Sequence, residues 1–182
     1  MRSVAIGLAA AVLSLSGDVT VKDATAEAAD ADPSCSSISR GVSFCGDKAT
    51  WTPLDRAPGA ASAIFHHSDT NYGVFIVEDF GTKDGASTAL IREAIIQNAA
   101  GGAGIAPSEV PILTSYAVAV DETSAETIVY TVNLNGVDIV YANTIIVSED
   151  RSVQAMTHVF GQEFTEAHQS LHAEFIGATE LE

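Results

Sequence analysis

The chain has 182 residues, 47% of them hydrophobic, and sets 24 acidic against 8 basic residues for a formal net charge of −16. That size and apolar fraction suit one globular domain with its own core and exclude a disordered chain. The charge repels nucleic-acid phosphate and anionic lipid headgroups, excludes nucleic acid as a partner, and favours cations and basic protein surfaces. A strongly acidic surface also keeps an exported protein soluble.

Residues 1–28 read as a secretory signal peptide: Met1-Arg2 is a short basic start, Val4 to Leu15 an apolar run, and small residues follow. The run is too short to span a bilayer, for which about 20 residues are needed. Residues 29–34 read as an acidic linker, and residues 35–182 as one domain. Export to the periplasm or the exterior suits the two cysteines, Cys35 and Cys45, which are expected to form a disulfide worth about 3 kcal/mol by loop entropy. Their C-x9-C spacing matches no zinc or redox signature.

Gly41 to Cys45 reads as a short strand, and Trp51 as a core or lid residue ahead of an irregular Pro/Gly/Ala stretch from Pro53 to Ala61. Ala63–His67 and Tyr72–Phe80 form a predicted hairpin, followed by a turn at Gly81–Gly85. Ala86 to Ala99 has Leu90, Ala94 and Ile91, Ile95 at helical spacing and is predicted to stop at Gly101-Gly102. Ile112 to Val120 alternates as a strand, and Asp121 to Glu126 reads as a polar turn.

Two β-rich runs then meet at Asn135-Gly136, a dipeptide that tolerates the positive φ angles of a type I′ turn. A two-residue loop pairs Leu134 with Val137, Val132 with Ile139 and Tyr130 with Tyr141, all on one apolar face. The other face carries Val129, Thr131, Asn133, Asp138, Val140 and Ala142 and reads as mixed. A turn at Glu149–Ser152 leads into a strand Val153–Phe160, and Gln162 to Gly177 is predicted as a second helix with a stripe of Phe164, Ala167, Leu171 and Phe175. Its Thr165/Glu166/His168/Gln169 side is expected to face water. The class is therefore α+β: an antiparallel sheet of about six strands, arranged as two hairpins and a meander and packed by two amphipathic helices, both lying on the tyrosine-lined face.

Three constellations bear on chemistry. His66 and His67, with Asp69 and, across the hairpin, Glu78 and Asp79, gather imidazoles and carboxylates on one ribbon, as a transition-metal site would. Neighbouring strand residues point to opposite faces, however, so His66 and His67 cannot share an ion on regular geometry. His168 and His172 share a helix face at i and i+4, but the intervening residues do not make a His-Glu-x-x-His pattern, and two ligands are too few for a structural zinc site. Asn143 and His158 become a buried polar pair if residue 148 pairs with residue 153, a reading that depends on register. No pattern calls for a cofactor.

The hairpin Ala63–Phe80, helix Ala86–Ala99, strands Ile112–Phe160 and closing helix Gln162–Gly177, together with the Trp51 region and the Tyr-rich meander, resemble the PsbP-like fold, including the DcrB-type exported bacterial proteins. The resemblance implies an antiparallel sheet carrying helices and a mostly non-catalytic, accessory or binding role, with no catalytic residue to carry over. The reading that follows is an exported, non-enzymatic protein that binds an envelope protein partner or a small ligand. Its alternative is a metal-dependent or hydrolytic enzyme using His66 or His67 with Glu78 or Asp79.

Overall fold

The computed structural model describes residues 35–55, 57, 59–68, 70–80, 87–148 and 150–182. The expected signal peptide, the linker, Asp69 and the Gly81–Gly85 turn lie outside the described residues. The elements are β1 (Ser36–Ser39), β2 (Val42–Phe44), β3 (Thr52–Pro53), β4 (Ala63–Ser68), β5 (Asn71–Asp79), α1 (Thr88–Ala103), β6 (Ile112–Val120), β7 (Thr123–Leu134), β8 (Val137–Val147), β9 (Arg151–Phe160), α2 (Glu166–Gly177) and β10 (Thr179–Leu181). They build an antiparallel seven-stranded sheet in the order β3-β4-β5-β9-β8-β7-β6, and a three-stranded sheet β1-β2-β10.

The Asn135-Gly136 corner forms as its sequence dictates. Asn135 has φ 55° and Gly136 φ 87°, and Tyr130–Tyr141, Val132–Ile139 and Leu134–Val137 are register partners. A second tight corner replaces the longer turn expected at residues 121–126: Asp121 and Glu122 both take positive φ, and β7 starts at Thr123. Helix α1 runs past Gly101-Gly102 because Ala100 is buried beneath it, and it ends instead at Gly104, whose φ of 70° is the left-handed cap.

The helices lie on opposite faces of the large sheet, not on one floor. Helix α1 sets Ile91 and Ile95 against Ile128, Tyr130, Val132 and Ile145. Helix α2 packs on the reverse face, where Val129, Val140 and Ala142 are buried and Asn133 donates to Asp138 beside the corner. On the α2 side the main core is aromatic: Phe44, Trp51, Phe65, Phe75 and Phe175. The Phe175 ring occupies the space over Gly73, where a Cβ would lie 2.2 Å from its Cε2. Trp51 donates its indole N–H to Glu174 at 2.8 Å, so its polar edge is satisfied while its ring is buried.

Candidate functional site

Thr165 caps α2 by accepting the backbone N–H of His168, which fixes the helix's rotation at its first turn. The face turned to the sheet is His168, Leu171, His172 and Phe175. Leu171 and Phe175 lie on it as expected, but Ala167 is exposed, and His168, expected to face water, is 1% exposed, as is His172. Threonines opposite the two imidazoles explain the rotation. Thr157 Oγ1 lies 3.1 Å from His168 Nε2 and 2.9 Å from His172 Nδ1, and Thr144 Oγ1 lies 2.8 Å from His172 Nε2. Thr144 in turn bonds Thr127 at 2.7 Å, and Tyr116 on β6 is the register partner of Thr127.

The result is one hydrogen-bonded chain, Thr127–Thr144–His172–Thr157–His168, crossing three strands on the α2 side. Each hydroxyl has one proton to give, and each neutral imidazole has one N–H and one bare nitrogen. Only two proton orders satisfy every link. In one, both histidines carry the proton on Nδ1; in the other, both carry it on Nε2. Burial keeps the rings neutral, lowering His172 to about 3, helped by the nearby His168, and His168 to about 4, against a smaller opposing effect of the Thr157 backbone. The chain ends at His168 Nδ1, which is buried and has no partner among the described residues. His168 lines a cleft of about 530 Å³ between the β4–β5 tip, the end of β9 and the start of α2, with Thr70, Asn71, Phe160, Gln162 and Thr165 among its walls.

On the α1 face a row of rings crosses five neighbouring strands: His66, Tyr72, His158, Tyr141 and Tyr130. Successive centroids are 5.1, 5.4, 5.6 and 5.3 Å apart, and successive residues are register partners. Asn143 and His158 share this face but are not directly opposite. Val147 pairs with Ser152, so Asn143 faces Met156 and His158 faces Tyr141. The shift is two residues, which preserves the face while changing the partner: Asn143 donates to Gln154 at 3.2 Å. His158 Nδ1 is buried without a partner among the described residues, and its pKa is lowered to about 4, by burial first and then by His168.

Among the described residues the proposed metal-binding ribbon is not brought together, and its member Asp69 lies outside them. His66 lies in the ring row, whereas His67 points to the opposite face of the sheet, where its ring meets Trp51 at 4.6 Å in a tilted contact. Glu78 stands six positions beyond Tyr72, the partner of His66, or about 20 Å along the strand. Among the described residues no histidine forms an ion pair with a carboxylate. Cys35 and Cys45 are joined, with sulfurs 2.02 Å apart. Glu180 stands beside them, but the disulfide removes the two thiolates that could otherwise complete a metal site. The threonines were the residues sequence reasoning missed; their one signal was Thr127, Thr144 and Thr157 recurring on strands beside two helical histidines.

No protein-family model matches the sequence, and no curated protein is significantly similar to it. Solved structures share its shape. The solution structure of cyanobacterial PsbP (CyanoP) from Synechocystis sp. PCC 6803 is 12% identical, with a TM-score of 0.50 over 86% of this chain and 98% of that one. A Bacteroides thetaiotaomicron protein is 12% identical with a TM-score of 0.49, over 78% of this chain and 45% of that one, so this chain spans under half of that neighbour's length. A Pseudomonas aeruginosa protein of unknown function has 12% identity and a TM-score of 0.38 over 67% of this chain and 72% of its own. At this identity the likeness to PsbP establishes the fold alone.

Proposed function

We propose, with a PsbP-like fold as the premise, that the chain is an extracytoplasmic, non-enzymatic protein that holds a small uncharged polar molecule in the cleft at the start of α2. The observation that carries this reading is His168, which lines the cleft and whose ring nitrogen Nδ1 is buried and unpaired among the described residues. Leaving such a nitrogen unmatched costs about 1–3 kcal/mol, which a ligand's hydrogen-bond group would recover. A neutral imidazole selects for an uncharged partner group, since it has no charge to offer an anion.

The non-enzymatic part is supported by the likeness to the PsbP fold, which is compatible with such a role. The extracytoplasmic part rests on the Cys35–Cys45 disulfide, which persists in oxidising compartments, and on the signal-like start of the sequence.

The test is a thermal-shift screen of uncharged polyols, amides and sugars, followed by nitrogen NMR of the imidazoles. A true ligand moves the His168 Nδ1 resonance, and His168→Phe abolishes its effect. Ligands that stabilise the protein but leave His168 untouched would remove the cleft from the account. A stoichiometric metal that His67→Ala releases would favour the enzymatic alternative.

A further inference from the structure

The two ends of the seven-stranded sheet are finished differently. At one end β3 is two residues long and closes on Pro53, a short, proline-blocked edge of the kind that prevents further pairing. At the other end β6 has nine residues, Ile112 to Val120, with no charge and no proline among them. All but Val118 and Val120 are exposed, with Ile112 40% and Leu113 43% accessible.

The corner at Asp121-Glu122 determines which backbone groups this edge presents. Val120 and Thr123 flank a two-residue turn with both φ angles positive and therefore form a hydrogen-bonded pair. Pairs alternate from there, so the N–H and C=O of Ala119, Ala117 and Ser115 point away from β7 to the open side. Their side chains are small, which lets another backbone approach.

Among the described residues, the charged side chains that flank the strand in sequence are acidic. Glu109 precedes it, Asp121 and Glu122 follow it, and β10, which packs near its far end, carries Glu180. Arg92, the cation nearest this edge on α1, is engaged by Glu126 at 2.8 Å. A second copy of the chain paired along β6 would set these carboxylates against each other in either strand direction, on top of a net charge of −16 on each copy. We infer that β6 is a docking edge for an extended, basic segment of a partner protein, which adds to the sheet as an eighth strand through Ser115, Ala117 and Ala119, with its lysines or arginines facing the flanking carboxylates. This goes beyond the cleft: it concerns another edge and another class of partner, and either can fail without the other.

Hydrogen exchange on the full, disulfide-bonded chain tests it, with a synthetic Thr-Val repeat peptide flanked by lysines and the same peptide flanked by glutamates as probes. The lysine peptide is expected to slow exchange at Ser115, Ala117 and Ala119 by at least about tenfold, as newly bonded amides require, and the glutamate peptide to leave them unchanged. Ala117→Pro removes an outward N–H without touching the β6–β7 ladder and abolishes the effect. Ala119→Lys, a charged gatekeeper, weakens it and serves as a second check should the proline variant fold poorly. Equal slowing by both peptides, or no slowing, overturns the proposal. So does protection present without peptide, whether it rises with protein concentration, the mark of a second copy, or disappears on removing residues 1–34, the mark of the chain's own N-terminal segment.

Discussion

Three buried histidines make the protein's stability sensitive to mild acid. His158, His168 and His172 have folded-state pKa values lowered to about 4, 4 and 3 from 6.5, each chiefly by burial. Between pH 6.5 and those values the unfolded chain binds protons that the folded chain refuses, so stability falls as pH falls. At pH 5 each ring accounts for about 2 kcal/mol, or about 6 kcal/mol for the three, at about 1.4 kcal/mol per pH unit. That is comparable to the whole stability of a typical domain, about 5–15 kcal/mol. The acidic surface acts the other way, since partial neutralisation of a charge of −16 relieves repulsion, so a fall in stability identifies the histidines as its source. Urea unfolding followed by circular dichroism at pH 7, 6, 5.5 and 5 should show the midpoint dropping steeply below pH 6.5. Replacing His158 with Phe should flatten the drop by about a third, since it removes one of three similar contributions. A midpoint unchanged between pH 7 and pH 5 would refute the burial and neutrality of the three histidines together.

Gly73→Ala should cost about 2–3 kcal/mol, because its Cβ enters the Phe175 ring, and Phe175→Leu in the same chain should recover part of that in a double-mutant cycle. Thr157→Val strands two imidazole nitrogens at once and should cost about 2–4 kcal/mol in urea titration, whereas Thr157→Ser, which keeps the hydroxyl, should cost clearly less. Replacing both Cys35 and Cys45 with Ala opens a loop of sequence separation 10 and should lower stability by about 3 kcal/mol, read as a lower melting temperature.

Local chemistry made much of the scaffold legible. Asn135-Gly136 has few conformations open to it besides a type I′ corner, so it set three cross-strand pairs correctly. The β4–β5 hairpin was marked just as plainly by its alternation. Reading failed where tertiary contacts outweigh local preference. Gly101-Gly102 signals a stop, but Ala100 packs on the sheet and the helix continues to Ala103. The β8–β9 register turned on where the chain reverses; Ser148 N–H bonds the Arg151 carbonyl, which tightens the corner and moves His158 from Asn143 to Tyr141. Above all, the buried stripe of α2 is only half apolar, with His168 and His172 beside Leu171 and Phe175. Two histidines are as good a buried face as two leucines once threonines on the sheet meet their nitrogens, and nothing within the helix itself announces those partners.

The most direct measurement is the tautomer of His168 and of His172 at neutral pH, read from long-range proton–nitrogen NMR correlations. Because Thr157 has a single hydroxyl proton to share between them, the relay predicts two neutral rings in the same tautomer, both protonated on Nδ1 or both on Nε2. Opposite tautomers, or either ring charged at pH 6, would contradict it.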